Sequence, residues 1–255
     1  MEAADLLLAL LMLCVATLYA SVGHGGASGY IAVMALLGLA PDTIRPVALG
    51  LNVIVAGVAT AQFAGAGHFR GRLLWPFVLP AIPCAALAGS HPIGDTGFSV
   101  ITGVVLLLSS ARLFWDPGDA SPTRAVSIRV AVPVGAVLGL LSGWIGVGGG
   151  IFLTPLLLFS GWATVRAAAA VSAPFVLLNS LAGLAGWSLS GSPWPSLWLF
   201  VPLAMVVLLG GIVGSWLGSR RLSPPGVRRA LALVLLVAGV KLLSGSSLFS
   251  MPGAT

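Results

Sequence analysis

Two glycine-rich stretches hold the residues of this sequence that could do chemistry without a charged side chain. One is GWIGVGGGIFLTPLLL at 143–158, with five glycines in its first eight positions, and the other is SVGHGGASGY at 21–30. A short helix that begins after such a run presents unpaired backbone N–H groups and the positive end of its dipole, and both attract anions. Glycine also lets a ligand approach the backbone closely. The two stretches therefore predict an anion site built from main chain.

Small polar side chains in the apolar runs that follow could complete this site. Ser172 and Asn179 fall on one helical stripe with Gly183 and Gly186, and Asn52 sits near the position of Ser172 in the first half. Uncharged hydroxyls and amides suit a substrate oxyanion, and hydrogen bonding between helices is their alternative role. The predicted substrate-binding residues are His24, Gly25, Gly26, Asn52, Gly148, Gly149, Gly150, Ser172 and Asn179.

Three basic side chains could take part, each with an ordinary alternative. His24 interrupts the first glycine turn where the second turn has Val147. A histidine at mid-membrane depth carries a proton or contacts an anion, unless it is a neutral packed ring. Arg45 and Arg166 stand at matching positions before the polar stripes. For these we predict a weak gating or anion-attracting role, with snorkelling to the membrane interface as the alternative.

The glycine runs could also serve other purposes. A phosphate-binding loop needs Lys and then Ser or Thr after its glycines, and neither stretch has them. The dinucleotide fingerprint fails on its spacing and on the missing strand pattern before it. Close packing of helices through small residues stays open, because the chain has 34 glycines.

Composition determines the class of protein. Of the 255 residues 58% are hydrophobic and 7% charged, and the mean hydropathy is +1.09. Soluble domains carry about 25% charged residues, so we predict an all-α polytopic protein of the cell inner (plasma) membrane. The net charge of +6 comes from basic residues between apolar runs, so no nucleic-acid partner is expected. No catalytic carboxylate pair, Cys–His pair or metal cluster is visible, and we expect no enzyme activity, metal or cofactor.

Apolar runs separated by glycine, proline or charge predict ten helical segments. These are 5–22, 28–40, 44–66, 73–90, 97–114, 129–145, 151–161, 165–189, 196–218 and 227–244. A full span needs about 20 residues. The runs 28–40 and 151–161 are shorter, so we predict short or broken helices that reach the glycine turns near mid-membrane.

The two halves of the sequence resemble each other. SVGHGGASGY matches WIGVGGGIFL, and APDTIRPVALGLN matches ATVRAAAAVSAPF. The basic loop follows the third segment in the first half (GHFRGR) and the fourth segment in the second half (GSRRLSPPGVRR). The positive-inside rule then predicts two inverted-topology repeats of about five helical segments each, with both termini in the periplasm. The predicted division is 1–115 for the first repeat, 116–128 for a cytoplasmic linker and 129–255 for the second repeat.

The second-half motif carries a family resemblance. SGWIGVGGGIFLTPLLL followed by AAAAVSAPFVLLNSLAG resembles the TauE/SafE family of membrane permeases, known as sulfite exporters, and the likeness covers nearly the whole chain. The first half departs from the motif, with His24 in its turn and no counterpart to Pro155. The resemblance implies export of small sulfur oxyanions or organosulfonates, whereas the residues themselves indicate only a small anion.

We therefore predict a secondary membrane transporter that exports a small sulfur-containing anion, such as sulfite or an organosulfonate, by alternating access. Its anion site would be formed by the helix N-termini at the two glycine turns. A passive anion channel or facilitator on the same fold is the alternative. The predicted partners are the small anionic substrate and the lipid bilayer, and a homo-oligomer is left open.

Overall fold

The computed structural model describes residues 3–114, 125–220 and 225–244, which form helices joined by short loops. The helices are α1 (Ala3–Ser21), α2 (Ala27–Leu36), α3 (Pro41–Gly65), α4 (Gly71–Ser90), α5 (Asp95–Phe114), α6 (Ile128–Ile145), α7 (Gly150–Phe159), α8 (Val165–Leu189), α9 (Leu197–Arg220) and α10 (Pro225–Ser244). Every regular element of these described ranges is helical, so the predicted all-α class is confirmed.

Helix length separates two kinds of element. Five of the described helices, α3, α4, α6, α8 and α9, are long and apolar enough to cross a membrane. By contrast α2 and α7 have 10 residues each, and this gives about 15 Å at 1.5 Å per residue. That is about half the thickness of the hydrocarbon core. The predicted short helices after the glycine turns are therefore confirmed.

Packing between helices follows the same plan in both halves. Helix α4 packs on α6 and α1 packs on α9, while α8 contacts α4 as α3 contacts α9. The pairs α3 with α8 and α5 with α10 join equivalent helices of the two halves. Exchanging the halves therefore exchanges one set of contacts for the other, as expected for a duplicated fold.

The long helices α3 and α8 run antiparallel to each other along their contact. Near the start of α3, Leu49 lies against Gly183 near the end of α8. Further along, Asn52 is hydrogen-bonded to Ser180. Towards the end of α3 the contact consists of Ala59, Phe63, Ala169, Ala170 and Ala173. Equivalent helices pointing in opposite directions are what an inverted repeat requires, and the membrane topology itself stays a prediction.

Glycine stripes bring two helix pairs close together. On α6, Gly135, Gly139 and Gly143 each lie against backbone of α4, where a Cβ atom would collide with main-chain atoms. The same spacing occurs on α9, whose stripe of Gly210, Gly214 and Gly218 packs against α1. Small residues at every fourth position are typical of close helix pairs in membranes. Close packing therefore accounts for these six glycines, which lie outside the two turns.

The proposed boundary between the repeats falls largely outside the described residues. Of the predicted linker at 116–128, residues 116–124 are not described, and 125–127 precede the first turn of α6 at Ile128. The division at 1–115, 116–128 and 129–255 stays a prediction.

Candidate functional site

The two glycine turns have similar backbone conformations at their ends, whereas Gly148 has a φ of 74° and its counterpart Gly25 lies outside the left-handed region. Gly23 and Gly146 follow α1 and α6 with φ of 74° and 83°, and Gly26 and Gly149 precede α2 and α7 with φ of 103° and 79°. These φ values lie in the left-handed region, where a Cβ atom costs about 1–2 kcal/mol. The turn glycines are therefore required by the path of the chain, independently of any ligand.

The two turns meet at Asn52 and Val176. A side chain on Gly25 would collide with both residues, and so would one on Gly148. Asn52 and Val176 thus occupy equivalent places in the two halves, on α3 and α8. This equivalence differs by one helical turn from the sequence prediction, which places Asn52 near the position of Ser172.

The amide of Asn52 bonds to its own half at one end and to the other half at the other end. Its Oδ1 accepts a hydrogen bond from the backbone N–H of Ala27 at 3.0 Å, and its Nδ2 donates to Ser180 Oγ at 3.3 Å. The side chain is fully buried. Asn52 therefore caps the N-terminus of α2, and the first N–H group of that helix is already occupied in this conformation.

A line of hydrogen bonds runs from His24 into the second half. His24 Nε2 lies 2.9 Å from Thr154 Oγ1, and Thr154 Oγ1 lies 2.8 Å from Ser172 Oγ. All three side chains are buried. Thr154 is not among the residues that the sequence predicts for the site, although its position four residues after Gly150 places it on the same helix face, one turn from the glycines. Two predicted site residues, His24 and Ser172, are thus connected through one that was not predicted.

Asn179 is the least satisfied of the predicted site residues. It is 0% exposed, and neither Oδ1 nor Nδ2 has a hydrogen-bond partner within the part of the chain that the structure describes. On α8 it lies one turn after Val176 and one turn before Gly183, so it shares the face that meets the second glycine turn. A buried unpaired polar group costs about 1–3 kcal/mol. A group kept at such a cost is a candidate for contact with a ligand.

Arg45 and Arg166 have different surroundings, although the sequence matched them. Arg45 is 1% exposed, donates from its guanidinium to Ile93 O at 2.6 Å, and lies 4.7 Å from the centroid of the Phe98 ring. Its guanidinium also lies 3.6 Å from Asp42. Arg166 is exposed at the start of α8. The charged head of Arg45 thus contacts the α4–α5 loop and α5, and the structure does not bring the two arginines together.

The remaining basic side chains lie at the helix ends. Lys241 Nζ donates to Ala35 O at 3.1 Å and Leu36 O at 2.8 Å, so it caps the C-terminus of α2. A separate cavity of about 570 Å³ is lined by Arg70, Arg72 and Trp162, together with residues at the start of α6. Among the described Lys and Arg side chains Arg45 alone is buried. The site at the glycine turns is therefore surrounded by uncharged polar groups and His24.

This architecture defines a class of protein. Apolar helices long enough to cross a membrane, two similar halves and a buried polar site where the halves meet are features of a multi-pass membrane transporter. The chain belongs to the sulfite exporter TauE/SafE family, whose family model matches residues 8–242.

Relatives from several bacteria support the same class. The chain is 38% identical over 247 residues to the "probable membrane transporter protein y4hK" of Sinorhizobium fredii, covering 92% of this chain and 97% of that one. It is 27% identical to the "probable membrane transporter protein YjnA" of Bacillus subtilis, covering 92% and 98%. A 26% identical match to MamO of Magnetospirillum gryphiswaldense covers 86% of this chain but 42% of MamO. No solved structure matches the chain.

Proposed function

We propose that this protein is a secondary transporter of the inner membrane that exports small sulfur-containing anions, such as sulfite or organosulfonates, by alternating access. The family description names sulfite export, and the relatives are named as membrane transporters. The substrate is held where the two glycine turns meet. Its contacts come from the turns at Gly25, Gly26 and Gly148–Gly150 and from the side chains of His24, Asn52, Ser172 and Asn179.

One observation supports this proposal most directly. Gly25 of the first turn and Gly148 of the second lie against the same two side chains, Asn52 and Val176. The N-termini of α2 and α7, each the positive end of a helix dipole, therefore converge at the contact between the halves. Inverted-repeat carriers place their substrate near such a contact.

The contacts between the halves suit a site that opens to either side in turn. The two halves are joined at the turns by two hydrogen bonds, one between His24 and Thr154 and one between Asn52 and Ser180. Each is a hydrogen bond between uncharged partners when the imidazole is neutral, with a net contribution of about 0.5–1.5 kcal/mol. Rocking of one half against the other could exchange such bonds for substrate or water contacts at modest cost.

Transport by purified protein in liposomes tests the proposal. Vesicles are loaded with sulfite, sulfate, thiosulfate, methanesulfonate or taurine, and uptake of labelled anion is compared with that into protein-free vesicles. A carrier gives uptake that saturates and that is accelerated by the same anion on the far side. Uptake that neither saturates nor exchanges supports the channel alternative instead. No uptake of any anion in the panel would overturn the proposal of an anion transporter.

A further inference from the structure

Tyr30 presents an unused hydrogen-bond donor at the N-terminus of α2. The side chain is 0% exposed, and its hydroxyl is without a hydrogen-bond partner in the described part of the molecule. Side chains on a helix point back towards its N-terminus. The Tyr30 ring accordingly folds over Gly26, so that its hydroxyl oxygen lies 2.6 Å from where a Cβ atom on Gly26 would be. The donor is thus buried beside the turn that begins α2.

A second tyrosine in the same region behaves in the ordinary way. Tyr19 on α1 is buried like Tyr30, but its hydroxyl accepts a hydrogen bond from Ser28 Oγ at 2.7 Å. Burying a phenol hydroxyl without a hydrogen-bond partner is costly. Tyr19 shows that the same core can provide such a partner. The Tyr30 hydroxyl is therefore available to a group that enters the site.

The donors around the turns carry little net charge. The Tyr30 hydroxyl and the Asn179 amide are neutral. The buried imidazole of His24 brings at most one positive charge, when it is protonated. The guanidinium of Arg45, the one buried Arg or Lys side chain that the structure describes, is engaged with Ile93 O. The free-energy cost of removing an ion from water increases with the square of its charge. Neutral donors and helix dipoles can offset this cost for one negative charge far better than for two.

We infer that Tyr30 donates a hydrogen bond to the bound oxyanion and that the site selects monovalent oxyanions, such as hydrogen sulfite or a sulfonate, over divalent ones. This inference rests on the proposed function. It adds a specificity-determining residue from α2 to the contacts already assigned, and it narrows the substrate class by charge.

Methanesulfonate and sulfate are the probes for the charge, because both present tetrahedral sulfur with oxygen acceptors and differ by one negative charge. Binding of each to purified wild-type protein is measured by calorimetry at equal ionic strength. The expected result is binding of methanesulfonate at least tenfold tighter than that of sulfate. Equal or tighter binding of sulfate would overturn the selection by charge. This comparison needs no variant, so it does not depend on how well any variant folds.

Tyr30→Phe and Tyr19→Phe form a matched pair for the hydroxyl. Tyr30→Phe removes no hydrogen bond within the described structure, so its melting temperature should equal or exceed that of wild type. A hydrogen bond to a charged ligand is worth about tenfold to a hundredfold in affinity, and we expect that loss for methanesulfonate. Tyr19→Phe should lower the melting temperature and leave the affinity of the folded protein within about twofold of wild type.

The outcomes separate this inference from the proposed function. Wild-type protein that binds and transports none of the sulfur anions would overturn the proposed function, and the inference with it. Wild-type protein that binds methanesulfonate, with Tyr30→Phe binding it equally well, would overturn only the role of Tyr30. Weaker binding by Tyr30→Phe without loss of melting temperature supports that role, since a purely structural hydroxyl would affect stability.

Discussion

The imidazole of His24 and the hydroxyl of Thr154 lie 2.9 Å apart, which joins the first glycine turn to α7 of the other half. Thr154 in turn contacts Ser172 on α8 at 2.8 Å. None of the carboxylates whose side chains the structure describes is buried. His24 is therefore the group best placed to take up and release a proton at the turns, since its imidazole is the side chain that does so near neutral pH.

Replacing His24 with glutamine tests whether transport uses that proton. Glutamine keeps a hydrogen-bonding group towards Thr154 but cannot change its charge. If His24 carries the coupled proton, His24→Gln abolishes uptake driven by a pH gradient while exchange of anion against anion remains largely intact. Both rates are measured in liposomes with and without an imposed gradient.

Thr154→Val is the control for His24→Gln. Valine keeps the shape of threonine and removes the hydroxyl, so the imidazole loses this hydrogen bond but can still titrate. We expect a loss of stability of about 1–3 kcal/mol and retention of pH-driven uptake in the folded protein. Uptake by His24→Gln that responds to the pH gradient as in wild type would show that the proton travels with the substrate or that transport is uncoupled.

Asn52 and Asn179 should respond oppositely to the same substitution. Asn52→Leu removes the cap on Ala27 and the bond to Ser180, so it should lower stability by about 1–3 kcal/mol because a buried N–H group loses its partner. Asn179→Leu removes an amide with no described partner, so stability should be unchanged or higher. Thermal unfolding in detergent measures both changes.

Anion binding distinguishes a ligand contact from a structural fault at Asn179. If its amide holds the substrate, Asn179→Leu binds methanesulfonate about tenfold to a hundredfold more weakly than wild type. An Asn179→Leu variant that is more stable and binds the anion normally would remove Asn179 from the site.

Alanine variants separate two roles of a turn glycine, its backbone conformation and its contacts. Gly149→Ala places a Cβ atom 3.0 Å from the Phe175 ring at a φ of 79°. Gly67 in the α3–α4 loop has a φ of 76° and open space around it. Each alanine variant should therefore lose about 1–2 kcal/mol of stability through the left-handed backbone.

Substrate affinity then shows which role Gly149 has. If the second turn brings its backbone against a substrate oxygen, Gly149→Ala weakens anion binding and Gly67→Ala leaves it unchanged. Affinity is measured by calorimetry on the folded fraction of each variant. Normal affinity in Gly149→Ala, with a larger loss of stability than in Gly67→Ala, would indicate that Gly149 serves packing alone.

Sequence patterns predicted the elements better than the contacts between them. The run at 165–189 coincides with α8, because length and hydropathy are properties of one segment. The sequence patterns do not single out Thr154 or Tyr30, because each lies in a short apolar helix. The importance of either residue depends on what the other elements bring near it. The sequence match pairs Arg45 with Arg166. In the structure the counterpart of Arg45 is Ala169, because Ala169 packs on Gly23 as Arg45 packs on Gly146. This difference of about one turn also separates Val176, the counterpart of Asn52, from the position near Ser172 that the sequence match gives.

Basic side chains make contacts at both ends of the helices. At one end, Lys241 contacts Leu36 and Arg45 contacts Ile93. At the other end, Arg70 and Arg72 share a cavity with Trp162 and the start of α6. The positive-inside rule assigns the second end to the cytoplasm, because it carries most of the arginines.

Cysteine labelling on intact cells tests this topology. In a background with Cys14→Ser and Cys84→Ser, single cysteines replace His68 in the α3–α4 loop, Ser127 before α6 or Ser196 in the α8–α9 loop. Ser127 and Ser196 are both exposed in the structure, so this pair differs in position and not in the chemistry of the change. The inverted repeat predicts that a membrane-impermeant maleimide labels Ser196→Cys from outside, and that His68→Cys and Ser127→Cys react only after the membrane is opened. The loops at His68 and Ser196 follow equivalent helices, α3 and α8. Labelling of both from the same side would mean that these helices cross the membrane in the same direction, and the inverted repeat would be wrong.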